Sequence, residues 1–383
     1  MDFSWPQEYL EYKERVAAFA AAELSGESRE NDATQTFPRH LWETCAAFGI
    51  QGLSLPKAYG GALEEVDFMR ALLAMEALGY GCTDNGLAFA LNAQMWTVQT
   101  PILHFGSEAQ KQKYLPAMAA GKLIGAHALT EPEAGSDIMS MQLAAVKTED
   151  GYRLTGTKHL ITLAPLADVV LVFAKTNPKL GGWGISAFLV DRGTPGFTTS
   201  DKMDKMGMRS VHIGSLHFDD CFVPADALVG GEGLGFSIMN HSLEYDRCAI
   251  LASQLGAMER QLDGAIKFAR ERKQFGKSIG SFQAVSHRIA DMKLRLETSR
   301  LLLYKTAWLK QRGDSARLEA ALLKLQLSEA FVASSLDAVR TYGGGAYLGN
   351  GGVERDLRDA VGGVLYAGTS DIQKNIIAKF LGL

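Results

Sequence analysis

Apolar positions in the first third of the chain recur at helical spacing. Tyr9, Tyr12, Val16, Phe19 and Ala20 share one face of residues 8–24, and Val66, Met69, Leu72, Leu73, Met75 and Leu78 share one face of 64–80. The helical pattern continues through 85–105, largely apolar, and a short amphipathic run follows over 108–118. Turn chemistry separates these runs: Pro56-Lys-Ala-Tyr-Gly-Gly61 reads as a loop, and Thr83-Asp84 offers an N-cap. Between about 122 and 225 the pattern changes. Val169-Val-Leu-Val-Phe-Ala174 and Ile185-Ser-Ala-Phe-Leu-Val190 are continuous buried strands, 151–156 is a short strand and turn, and 215–218 alternates. Helices return after 226: Phe282, Val285, Ile289, Met292, Leu296 and Leu303 mark one face of 281–311, and 315–342 repeats the pattern. The class order α, β, α is not the alternating βαβ of a doubly wound sheet. It predicts a mainly α protein with a helical domain over 1–121, a β domain over 122–225 and a helical bundle over 226–383.

Composition acts mainly by exclusion. Hydrophobic residues make up 47% and charged residues 21% of the 383, as expected of a water-soluble globular chain. The formal charge of −4, from 39 basic and 43 acidic side chains, gives no broad field for nucleic acid and no polybasic membrane patch. No apolar stretch reaches a spanning length, and the start, Met1-Asp-Phe-Ser-Trp-Pro-Gln-Glu8, has neither a basic n-region nor an apolar h-region. A cytoplasmic protein is expected. Cys45, Cys82, Cys221 and Cys248 form no C-x-x-C pair and, with the eight histidines, no zinc spacing, so buried thiols and no metal site are expected.

No G-x-G-x-x-G follows an early strand, which argues against a nicotinamide site. The run Gly343-Gly-Gly-Ala-Tyr-Leu-Gly-Asn-Gly-Gly352 is either an interhelical loop or a place of close backbone approach to a phosphate. Leu129-Thr-Glu-Pro-Glu-Ala-Gly-Ser-Asp137 gathers a hydroxyl, small residues and amides into a turn after a strand. It is either an ordinary turn or one that holds a heterocycle edge and a pyrophosphate. Arg270-Glu-Arg-Lys-Gln-Phe-Gly-Lys277 reads as a solvated charged connection, or as a packing site for something planar through Phe275-Gly276.

Further ordered stretches join these: Gly156-Thr-Lys-His-Leu-Ile-Thr162 with Ala167-Asp168, Asp219-Asp-Cys-Phe-Val-Pro224, Tyr342-Gly-Gly344, Glu354-Arg-Asp-Leu-Arg-Asp359 and Gly368-Thr-Ser-Asp-Ile-Gln373. Together they resemble the acyl-CoA dehydrogenase family along nearly the whole chain. The resemblance implies an α-helical, β-barrel, four-helix-bundle fold and FAD as cofactor. It implies Leu129 and Thr130 at the flavin edge, Thr162 near flavin N5, and Gly135 and Ser136 by the pyrophosphate and the substrate's pantetheine arm. Arg272 and Phe275, with Gln283, would reach the FAD of a neighbouring subunit, and Gly344, Thr369 and Asp371 would complete the dinucleotide site. A homo-oligomer, tetramer or dimer, follows. Arg340 stands where the family usually has Gln and would meet pyrophosphate through charge-assisted bonds; Leu160 stands where a Trp is frequent.

The main departure concerns the base. Most family members read Tyr-Glu-Gly-Thr near the C-terminus, and that Glu removes the substrate α-proton; this chain reads Tyr366-Ala-Gly-Thr369. A minority, including the isovaleryl-CoA and long-chain enzymes, carry the carboxylate on the helix after the barrel, just before an arginine. Here that stretch is Leu243-Glu-Tyr-Asp-Arg247, which puts Asp246 in the alternative position. Asp246 is then either the base or a helix-surface carboxylate paired with Arg247 or a lysine. Glu244 points about 200° away around the helix; the resemblance places it and Arg247 on the substrate side, near the pantetheine arm. Ala367 retains the backbone N–H that, with a flavin ribityl hydroxyl, would hold the thioester carbonyl. Gly81-Cys-Thr-Asp-Asn-Gly86, Leu255-Gly-Ala-Met-Glu-Arg-Gln-Leu262 and Val339-Arg340 look like the branch that acts on carrier-protein thioesters, which includes prolyl-carrier-protein dehydrogenases of natural-product pathways. The expected function is FAD-dependent α,β-dehydrogenation of an acyl or aminoacyl thioester, with electron-transfer flavoprotein or oxygen as acceptor. A short- or branched-chain acyl-CoA dehydrogenase, a flavin monooxygenase on the same fold and a non-catalytic flavin-binding protein are the alternatives.

Overall fold

The computed structural model describes residues 4–383, so the first three residues of the expected leaderless start lie outside the described residues. Helices α1 (Gln7–Glu23), α2 (Ser28–Thr34), α3 (Arg39–Phe48), α4 (Phe68–Gly81), α5 (Asn85–Gln94), α6 (Thr100–Phe105) and α7 (Glu108–Ala119) make up the N-terminal part. The Asp84 carboxylate accepts the Leu87 N–H at 3.0 Å and caps α5. Between α5 and α6 the helix loosens into a buried π-turn, Met95–Gln99, a local widening often found at functional sites.

Eight strands follow: β1 (Gly125–Ala128), β2 (Ala144–Lys147), β3 (Gly151–Thr162), β4 (Val169–Lys175), β5 (Ile185–Asp191), β6 (Phe197–Thr199), β7 (Ile213–Pro224) and β8 (Leu228–Val229). The ladder runs β6-β7-β3-β2-β4-β5-β8, with β1 added in parallel on β4. Its terminal strands, β6 and β8, are three and two residues long and do not pair with one another, so the barrel expected above is an open, curled ladder. The unbroken apolar run of β4 is explained by burial on both faces.

The C-terminal part holds α8 (Gly235–Ala249), α9 (Ala252–Glu271), α10 (Gln283–Gln311), α11 (Arg317–Tyr342), α12 (Val353–Gly363) and α13 (Ser370–Phe380). A small hairpin, Lys273–Gln274 against Lys277–Ser278, joins α9 to α10. α4 and α9 meet backbone to backbone: a Cβ on Gly79 would lie 1.8 Å from the Ser253 carbonyl oxygen, and one on Gly256 1.9 Å from that of Glu76. α8 is seated on the sheet in the same way, since a Cβ on Gly235 would lie 2.7 Å from the Ile185 carbonyl. All four cysteines are buried and joined in no disulfide among the described residues. No helix among the described residues is long and apolar enough to cross a membrane.

Candidate active site

The seam between sheet and C-terminal helices encloses a cavity of about 600 Å³. Two elements dominate its sheet wall. The turn after β1 brings Leu129, Thr130, Gly135 and Ser136, and the end of β3 brings Leu160 and Thr162. β3 is bulged at this place: its register against β7 slips between Lys158 and Ile161, and Leu160 takes a positive φ of 58°. A bulge re-aims the strand and turns consecutive side chains out of strict alternation, and the consecutive residues Leu160, Ile161 and Thr162 all reach the cavity.

A buried ion pair fixes the turn. Lys158 is fully buried, and its Nζ lies 2.8 Å from Glu131 Oε1 and 2.9 Å from the Leu129 carbonyl oxygen. Glu131 also accepts the Leu143 N–H at 3.0 Å and the Gln142 N–H. Burial lowers the Lys158 pKa to about 8, with Glu131 opposing the shift. This pair was not singled out from the sequence, although both residues stand inside the recognised motifs.

The helical wall comes from α8, which presents Leu243, Asp246, Arg247 and Ile250 to the cavity. Asp246 is 5% exposed, and its Oδ1 has no hydrogen-bond partner among the described residues. Burial raises its pKa to about 7, and the charges of Arg247 and then Lys324 pull it back down. It is therefore not a surface carboxylate paired with Arg247; the Arg247 Nε instead donates to the Ala367 carbonyl at 3.4 Å. Glu244 does not line the cavity. Its carboxylate is held by Lys310 at 3.0 Å and lies 3.8 Å from Arg317, because the rotation of α8 that turns Asp246 inward turns Glu244 toward α10. The substrate-side placement expected for Glu244 is corrected accordingly.

The third wall is the turn between α12 and α13, with Tyr366, Ala367, Gly368 and Thr369. Ala367 adopts a positive φ of 55°, a conformation costing an alanine about 1 kcal/mol. Its carbonyl is held by Gln373 Nε2 at 3.1 Å as well as by Arg247, while its N–H has no partner among the described residues. Burial and the charge of Asp246 raise the Tyr366 pKa, and its hydroxyl accepts from Gln254 Nε2. Thr369 caps α13, accepting the Ile372 N–H at 3.3 Å.

Two cavity residues carried no sequence signal. His127 lies two positions before the recognised turn, with Nε2 3.2 Å from Ser242 Oγ, and burial pushes its pKa down to about 3, so it is neutral. Thr97 reaches the cavity from the π-turn.

The remaining expected residues are not brought to this cavity. Arg272 ends α9, and Phe275 sits at the tip of the following hairpin, 93% exposed with φ 51°. Gln283 is exposed at the start of α10, and Gly344 is exposed in the 3-10 turn after α11. Arg340 is exposed and pairs with Asp337 at 3.2 Å, and Asp371 faces solvent beside Lys374.

The arrangement offers a mostly apolar slot with hydroxyls at Thr130, Ser136 and Thr162 and a peptide N–H at Ala367 that have no partner among the described residues, and a carboxylate poised near neutrality. Those groups fit a flat heterocycle with polar edges and a thioester beside it. The models of the acyl-CoA dehydrogenase N-terminal, middle and C-terminal domains match residues 6–122, 126–221 and 233–382. An L-prolyl-[peptidyl-carrier protein] dehydrogenase of Pseudomonas fluorescens is 42% identical, covering 100% of both chains. Among solved structures, the prolyl acyl carrier protein oxidase AnaB superposes with a TM-score of 0.97 at 44% identity, over 99% of this chain and 100% of that one. PigA with FAD and proline superposes with a TM-score of 0.97 at 40% identity, over 100% of both chains. Matched from end to end in sequence and in fold, the chain belongs to the acyl-CoA dehydrogenase family.

Proposed function

We propose that this chain is an FAD-dependent dehydrogenase of an aminoacyl thioester carried on a carrier protein, of the prolyl kind, with Asp246 as the base. The observation that supports it most directly is Asp246 itself: a buried carboxylate on the cavity wall, raised to about 7, whose Oδ1 is left unbonded. A base of that pKa is half ionised near neutral pH and strong enough to take a thioester α-proton. The Ala367 N–H donates to the thioester carbonyl oxygen, where charge develops as that proton leaves. Its carbonyl, held by Gln373 and Arg247, fixes the direction of the turn. Thr130, Ser136 and Thr162 supply free hydroxyls to the flavin and to the substrate arm. FAD, when bound, supplies the hydride acceptor. Neutral His127, with Ser242, gives the slot a polar corner suited to an amino-bearing acyl group rather than a plain alkyl chain.

The exposed set around the α9–α10 hairpin supports assembly into a homo-oligomer in which Arg272 and Phe275 serve a neighbouring subunit's FAD: Phe275 is 93% exposed. The protein acts in the cytoplasm, and electron-transfer flavoprotein or oxygen takes the electrons. The test is anaerobic mixing of the flavin-loaded protein with prolyl-loaded carrier protein, with prolyl-CoA and with short-chain acyl-CoA. Flavin bleaching fastest with the loaded carrier supports the proposal. Equal or faster bleaching by a CoA ester refutes the carrier, and no bleaching by any thioester refutes the dehydrogenase.

A further inference from the structure

Lys324 is the most unusual ionisable group that the site described so far does not use. It lies in the middle of α11, in the run Leu322-Leu323-Lys324-Leu325, and is fully buried. Its Nζ has no hydrogen-bond partner among the described residues, and it forms no contact ion pair. An ammonium in that state is costly unless an anion stands within Coulomb reach.

The surroundings identify that anion. α11 packs against α8, α9, α10, α12 and α13. From α13, Ser370 donates to Glu329 at 2.6 Å, so the carboxylate one turn along α11 is already engaged. From α12, Asp359 accepts from Asn85 Nδ2 at 2.9 Å and from the Met208 N–H. From α9 comes Gln254, uncharged, whose Oε1 is also unpartnered. Gln254 Oε1 and Ser328 Cβ, one turn beyond Lys324, lie 3.2 and 3.4 Å from a single point, the Cβ position of Gly363, so α9 and α11 converge on this pocket of polar groups. α8 contributes Asp246, with Arg247 and the buried thiol of Cys248 as its ionisable neighbours, and Tyr366 closes the cluster from the turn after α12. On α10, Lys310 is turned away onto Glu244. Asp246 is the acidic group of this cluster that nothing else holds.

We infer that Lys324 is a second buried counter-charge of Asp246, beside Arg247, and a positioning residue that acts on proton transfer through the base without touching substrate. The inference rests on the reading of Asp246 as the base. The missing contact is part of the device. A direct ion pair would occupy the Oδ1 that must receive the proton and would weaken the base. A cation one step removed makes the ionised carboxylate less costly and leaves its acceptor atom open. The coupling is mutual: burial lowers the Lys324 pKa to about 8, and Asp246 is the first group opposing that shift.

The test is the pH dependence of anaerobic flavin reduction at saturating thioester, in the wild type and in Lys324→Met, Lys324→Gln and Lys324→Arg. Loss of the cation removes a term that favours the ionised base, so the acid limb moves to higher pH, by about one unit for a buried charge pair. At pH 6 this is a loss of about tenfold beyond that of the wild type, with the rates converging above the shifted limb. Lys324→Arg keeps the limb where the wild type has it. A second readout needs no turnover: the infrared carbonyl band of a protonated carboxylic acid, assigned by its loss in Asp246→Asn, persists to higher pH in Lys324→Met. A uniform loss of rate at every pH, with limb and infrared titration unmoved, overturns the inference and leaves Lys324 a packing residue. Should Lys324→Met not fold, Lys324→Gln decides by the same two readouts. Asp246→Asn separates the two readings. If it reduces flavin at the wild-type rate, the base assignment fails; if it is inactive while the Lys324 limb stays in place, only the role of Lys324 fails.

Discussion

The enclosed cavity and the exposed rim around the α9–α10 hairpin both carry residues that the family resemblance assigns to the cofactor, yet they are built by different physics. Inside, each group is placed by its own chain: Lys158 and Glu131 tie the turn after β1, Gln373 and Arg247 orient the peptide at Ala367, and burial in α8 tunes Asp246. Outside, Phe275 stands 93% exposed at a hairpin tip and Arg340 pairs with Asp337 of its own helix. The inner set finds its partners within one chain, and the outer set stands in solvent. Disturbing the inner set is therefore expected to change chemistry or folding. Disturbing the outer set is expected to change cofactor retention and assembly.

The sharpest way to break this contrast is Asp246→Asn. It keeps size and helix position but accepts no proton, so flavin reduction falls by about 10²–10⁴ while FAD content stays near one per chain. A wild-type rate in single-turnover absorbance traces removes the relocated base. Next in size is Lys158→Met, which leaves the Glu131 carboxylate buried without its cation at a cost of about 3–5 kcal/mol. Thermal melts of the variant show a lower transition, and adding Glu131→Gln recovers part of it. Arg272→Ala then tests the rim. Loss of a charge-assisted bond worth about 1.5–3 kcal/mol weakens FAD binding by roughly 10–100-fold, read by flavin release on dilution together with sedimentation of the assembly. An unchanged FAD affinity makes the rim an ordinary solvated surface. Smallest is Glu244→Gln. It weakens a largely buried ion pair to Lys310 but leaves the rate of flavin reduction within about fivefold, well short of the roughly 10²–10⁴ of a lost base; a loss approaching that of Asp246→Asn makes Glu244 the better base candidate.

The order of helices, strands and helices was readable from periodicity, since α10, α11, β4 and β5 each carry a face or a run that only burial explains. The open edge of the ladder was not, because two- and three-residue strands such as β8 and β6 leave no pattern. The π-turn at Met95–Gln99 lies in a stretch buried on all sides, polar Thr97 and Gln99 included, where no amphipathic pattern marks a slip of one residue. At the site, the recognised motifs led to Thr130, Thr162, Asp246 and Ala367, all of which line the cavity. Lys158 and Lys324 went unseen for one reason: a lysine on a strand or an amphipathic helix reads as a solvent-facing residue, and only the three-dimensional neighbours show it to be buried. His127 was missed because one histidine in a short apolar strand is ordinary; its position beside Ser242 comes from a helix more than a hundred residues later.

The free N–H of Ala367 has a consequence for how such an enzyme changes over generations. A main-chain donor is encoded by no particular codon. Any residue except proline supplies it, provided the turn tolerates the left-handed φ of 55° seen here. Mutations at this position can therefore remove or install a carboxylate while the donor proposed for the thioester carbonyl persists through every intermediate. The two halves of the chemistry are inherited separately, one by the shape of the turn and one by a side chain. A lineage that acquires a second carboxylate on α8 first, and loses the one at 367 afterwards, never passes through a state with neither.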